Sequence, residues 1–151
     1  MSSVVHLARR AVGSISNRPP DVSSLGTVAS LLNEAEFALW QSMPGRDQRH
    51  SLVVLDRFDK ILPGADETER AAALLHDVGK TVSSLGWAMR VVATVAGSVG
   101  RRRVRRFREY HEHETIGARL LTGVSADRTV GLVAGTGAGP AADALRRADE
   151  I

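Results

Sequence analysis

The amino-acid sequence predicts an all-α, single-domain helical bundle. Three observations lead there. Apolar residues recur at helical spacing through most of the chain. No segment keeps up the period-2 alternation of a strand. Gly/Pro breakers cut the chain into helix-length pieces. At 151 residues, 43% apolar and 25% charged, the chain suffices for one real core and is short for two.

The first breaker, "NRPPD" (17–21), separates an N-terminal arm or helix (1–22) from the domain proper (23–151). A helix is expected over about 23–32. Asn33 and Glu36 have capping-box spacing and open a helix carrying Phe37, Leu39, Trp40 and Met43. "MPGRD" (43–47) stops it. Asp47 is then expected to cap a helix over about 48–62, with Val54, Leu55, Phe58, Ile61 and Leu62 on one face. "PGAD" (63–66) breaks the chain again. Asp66 and Glu69 repeat the capping-box spacing and start a helix to Val78, with Gly79 as its C′ residue. An apolar helix at about 85–98 leads to the arginine cluster. Helices near 105–122 and 126–134, a glycine-rich loop at 135–140 and a last helix from about 141 complete the order.

The chain has no cysteine, which excludes disulfides and thiolate metal sites and is compatible with a cytoplasmic location. Net charge is +3, carried almost wholly by arginine, since lysine occurs only at Lys60 and Lys80. No run is long enough to span a bilayer. The first twenty residues lack acid and carry Arg9, Arg10 and Arg18 among serines. That weakly resembles a transit peptide, and an arm or helix is the preferred reading.

Chemistry concentrates in polar residues on apolar faces. The helix over 67–78 carries Ala71, Leu74, Leu75 and Val78 on one side and Ala72 and Ala73 on the other, so it is buried all round. His76 and Asp77 sit in that setting, each four residues after an alanine. Adjacent helical residues point about 100° apart, so the two side chains bond each other poorly but can lean toward one point. A cation there offsets the cost of burying the carboxylate. Alone, the dipeptide also fits a helix-end pair that satisfies backbone groups. Further residues add to it. His50 shares a line with Val54, Phe58 and Ile61. His113 aligns with Gly117 and Leu120, whereas His111 faces the opposite side. Asp149 aligns with Ala142 and Leu145. Several inward His and Asp residues on separate helices each need a partner, and one divalent ion serves His50, His76, Asp77 and Asp149 together.

His50, then His76–Asp77 within "LLHDVGK" (74–80), then "HETIGARLL" (113–121), then Asp149 within "ALRRADE" resembles the HD-domain superfamily of metal-dependent phosphohydrolases. The resemblance runs from about residue 33 to the end. It implies a helical bundle of HD type, and a hydrolase or phosphohydrolase acting on a phosphate ester, with a phosphorylated small molecule as partner. It implies His50, His76, Asp77 and Asp149 as ligands of one divalent metal (Mn, Fe, Mg or Zn). Asp77, Lys80 and His113 take the catalytic roles, with Lys80 near the phosphate and His113 facing substrate or a second metal. The sequence departs from the pattern at "VGLVAGTGAGP" (130–140), which has no histidine or carboxylate. That argues against a second metal site. Glu114 stands where a proline often follows the histidine, and Asp149 lies two residues from the end of the sequence.

Two other function classes compete. One is a catalytically silent HD-type metal- or nucleotide-binding regulatory module, favoured by the glycine-rich replacement. The other is a small basic nucleic-acid binder. "RRRVRRFR" has six arginines in eight residues, Arg101–Arg108, and could grip nucleic acid or an anionic membrane surface. Phe107 is its sole aromatic, and a charge run usually forms a solvated face.

Overall fold

The computed structural model describes residues 17–80 and 113–150. Every regular element among them is helical. The elements are α1 (Val22–Leu31), α2 (Glu34–Gln41), α3 (Gly45–Ile61), α4 (Glu67–Leu75), α5 (residues 113–121), α6 (Asp127–Val133) and α7 (Pro140–Asp149). The N-terminal arm up to residue 16, the 85–98 helix, the arginine cluster and His111 lie outside the described residues. No described helix is long and apolar enough to cross a membrane.

Side chains cap three of the described helix starts, at Asp21, Asn33 and Asp66. Both capping boxes form completely. The Asn33 side chain accepts from the Glu36 N–H while Glu36 accepts from the Asn33 N–H. Asp66 and Glu69 reciprocate in the same way ahead of α4. Each box satisfies two backbone donors that a helix start leaves without partners. Asp47, expected to cap α3, does not. The helix starts earlier, after Pro44, and Asp47 falls in its first turn, where a carboxylate still complements the helix dipole. The early start is sealed by Gly45, on whose Cα a Cβ would meet the Asn17 and Arg18 carbonyl oxygens at 2.6 and 2.7 Å.

Helix α4 is the centre of the packing. Ala71 to Leu75 are all buried, as a helix apolar on all sides must be. It packs on α3 on one side and α6 on another, and α3 in turn packs along α7. Val54 and Phe58 of α3 and Leu121 of α5 are fully enclosed with it. Two polar bridges fasten α6 to the start of α4. The Thr129 hydroxyl donates to the Thr68 carbonyl at 2.9 Å, and Arg128 pairs with Glu69 at 2.9 Å.

Gly79 is not the left-handed C′ residue that the sequence suggests. Helix α4 ends at Leu75, His76 is its C-cap, and a tight turn brings Val78 N–H to Leu75 O. A second helical turn begins at 79–80. Gly79 serves close approach instead. A Cβ there would run into the His113 carbonyl oxygen and lie 2.7 Å from the Gly117 amide nitrogen. Gly117 answers from α5, with the Gly79 amide nitrogen 3.4 Å from its own would-be Cβ. Backbone meets backbone, which only glycine permits.

Candidate metal centre

Three helix segments far apart in sequence deliver side chains to one point. His50 comes from the second turn of α3, His76 from the end of α4 and Asp149 from the last position of α7. Asp149 Oδ1 lies 3.0 Å from His50 Nε2 and 3.4 Å from His76 Nε2. The two imidazoles meet edge to face, 5.5 Å between ring centres. One ligand atom from each of the three residues falls within 4.8 Å of the others, the spacing that can hold a metal ion.

The local fold fixes the His76 ring. Its Nδ1 stands 2.9 Å from the Ala73 carbonyl oxygen. Only a protonated Nδ1 can donate there, which leaves the Nε2 lone pair facing the cluster in the neutral ring. The His76 side chain is 10% exposed, and among the described residues its buried Nε2 makes no hydrogen bond. A buried nitrogen of this kind costs free energy unless something fills its lone pair. A backbone carbonyl on the far nitrogen is also the usual way a metal-binding histidine is oriented.

Charge in the cluster is distributed accordingly. The His50 hydrogen bond, and after it His76, holds the Asp149 carboxyl well below the usual carboxylate range, against a smaller opposing effect of burial. Burial alone would push His76 down. Asp149 and Asp77 outweigh it, and its pKa is raised. The cluster is a site that attracts a positive charge, whether a proton or an ion.

Asp77 borders this three-residue group. Its Oδ2 is 3.5 Å from His76 Nε2 and 2.6 Å from Lys80 Nζ. The residue is buried, so the Lys80 ammonium supplies the partner that a buried carboxylate requires. His113 opens the described part of α5 and reaches this pole through its backbone, packed over Gly79. It is not a member of the three-residue group. The structure thus brings His50, His76 and Asp149 together, with Asp77 and Lys80 paired at their edge.

One residue near the site escaped the sequence reading. Arg57 donates to the Ala148 carbonyl at 3.2 Å, beside Asp149. The available signal was its place seven residues after His50, hence on the same face of α3.

The chain matches no protein-family model, and comparisons with curated proteins and with solved structures return no significant match.

Proposed function

We propose that the chain is a cytoplasmic metal-dependent phosphohydrolase of HD type with a single metal centre. The observation that carries the reading is the convergence of the buried His76 Nε2 and of His50 Nε2 on one Asp149 carboxylate oxygen, at 3.4 and 3.0 Å. Two imidazole nitrogens and one or two carboxylates suit manganese, iron, magnesium or zinc. His50, His76 and Asp149 would hold the ion, with Asp77 as a fourth ligand. Bound there, the ion would supply Lewis acidity and acidify a water molecule.

The chain's own residues do the rest. Asp77 accepts a hydrogen bond from the attacking water and keeps Lys80 at the edge of the site. Lys80 brings positive charge to where it builds up on the phosphoryl oxygens. His113 donates a proton to the leaving oxygen. The products are inorganic phosphate, or a phosphomonoester from a diester, and an alcohol.

The test is phosphate release from a panel of phosphate esters with and without added manganese. Manganese-dependent release is expected in the wild-type protein. The double variant His76→Ala, Asp77→Ala is expected to lose both activity and metal. If elemental analysis finds its metal retained, the site is elsewhere. The 2.6 Å Asp77–Lys80 pair favours a second reading, in which both groups are taken up with each other and the domain binds metal or nucleotide without turnover. Stoichiometric metal with no hydrolysis of any ester supports that module.

A further inference from the structure

We infer that Arg57 is a positioning residue for the metal centre: together with His50 it grips the end of α7 at two points and so fixes where Asp149 stands. The inference rests on the metal reading above and adds to it a residue outside the ligand set.

The face of α7 that packs on the rest of the bundle is nearly featureless. Its buried residues are Ala141, Ala144, Leu145 and Ala148. Three methyl groups and one leucine exclude water, but so small a set interlocks weakly, so a small slide or rotation of the helix costs little. Yet Asp149 is the last residue of that helix, and a ligand carboxylate must be placed within a few tenths of an ångström. Directional contacts have to set the position.

Two such contacts reach the end of α7 from α3. His50 Nε2 meets the Asp149 side chain at 3.0 Å. The Arg57 guanidinium meets the preceding backbone carbonyl, Ala148 O, at 3.2 Å. His50 and Arg57 are seven residues apart, two turns and about 10 Å along α3. One contact holds the side chain and the other the main chain, so both the placement of the helix end and the aim of the carboxylate are determined. The Ala148 carbonyl is one of the last four in α7, which have no partner within the helix. A guanidinium there also sits at the negative end of the helix dipole.

The experiment uses cobalt(II) alone as the probe on the full chain. Affinity is measured by titration, and the visible absorption of the cobalt-loaded protein reports ligand geometry. Arg57→Ala is expected to weaken cobalt binding by about tenfold to a hundredfold, the usual effect of removing an outer support. At saturating cobalt its absorption should differ from wild type, because Asp149 is displaced. Arg57→Lys, which keeps a cationic donor, should restore most of both. Leu145→Ala loosens the same helix without touching either grip, and should leave the cobalt spectrum unchanged. Wild-type affinity and spectrum in Arg57→Ala overturn the inference while leaving the metal reading intact. Equal changes in Arg57→Ala and Leu145→Ala, with no rescue by lysine, reduce Arg57 to a general structural role and also overturn it. Failure of the wild-type protein to bind cobalt overturns the metal reading and this inference together.

Discussion

Helix α3 carries two polar clusters a few residues apart, and they differ in one respect. In the first, Trp40 Nε1 donates to Ser51 Oγ at 2.9 Å, and Ser51 Oγ donates to Gln48 O at 2.8 Å. The Gln48 amide donates to the carbonyls of Trp40, Gln41 and Met43 at the end of α2. Each of these side-chain donors has an acceptor. In the second cluster, His50, His76 and Asp149 converge, and among the described residues the buried His76 Nε2 makes no hydrogen bond, only ion-pair contacts with Asp149 and Asp77 at 3.4 and 3.5 Å. The first network is closed and works as a joint between helices. The second is open and can accept something from outside. Buried polar groups of similar cost therefore do different work according to whether their valences are filled.

The comparison is broken most severely at Trp40. It is fully buried and stacks on Phe37 with 6.1 Å between ring centres. Trp40→Ala should lower unfolding free energy by about 3–5 kcal/mol, measured by urea denaturation. Metal binding by whatever fraction stays folded should persist, because no ligand is touched.

The next effect separates the clusters directly. Gln48→Leu takes the amide donor from the carbonyls of Gln41 and Met43, while the Trp40 carbonyl keeps the Met43 N–H, and should cost about 1–3 kcal/mol. His76→Leu, in metal-free protein at pH 8, removes an unsatisfied nitrogen along with one hydrogen bond. It should change stability by less than about 1 kcal/mol, while eliminating metal binding. A large loss in His76→Leu would mean that its nitrogen is satisfied after all and that the second cluster is closed as well.

The smallest effect is in pH dependence. A raised His76 pKa stabilises the metal-free fold below the ordinary histidine value of 6.5, and that contribution is lost as pH rises through the folded-state value. The lowered Asp149 pKa stabilises above the ordinary 3.8 and is lost as pH falls below it. Metal-free melting temperature should thus decline by way of this cluster as pH rises above 6.5 and through the raised His76 pKa. Metal affinity should move the other way, rising by up to about tenfold per pH unit until His76 is deprotonated. The Gln48–Ser51–Trp40 network contains no titratable group and should contribute to neither trend.

What the sequence revealed follows physical range. The Asn33–Glu36 and Asp66–Glu69 boxes were readable because donor and acceptor lie three residues apart. The inward aim of His50, His76 and Asp149 was readable from helical phase, since each shares a line with buried apolar residues. Gly79 was misread because its reason lies in α5, where the His113 carbonyl and Gly117 amide leave no room for a Cβ. The start of α3 was misplaced because Gly45 packs against residues 17 and 18 rather than following local capping preference. Arg57 looked like any surface arginine, since its acceptor is a main-chain carbonyl 91 residues away, which no pattern of residue types marks. The Lys80–Asp77 pair sits at helical i, i+3 spacing, a separation at which the sequence alone shows a possible ion pair.

The central claim is that the open cluster takes up one divalent ion. Equilibrium dialysis against manganese, cobalt and zinc, with elemental analysis of the wild-type protein and of His76→Ala, tests it most directly. One ion per chain is expected in the wild type and none in the variant. Metal-free wild type at every ion tried, or equal metal in both proteins, would contradict it.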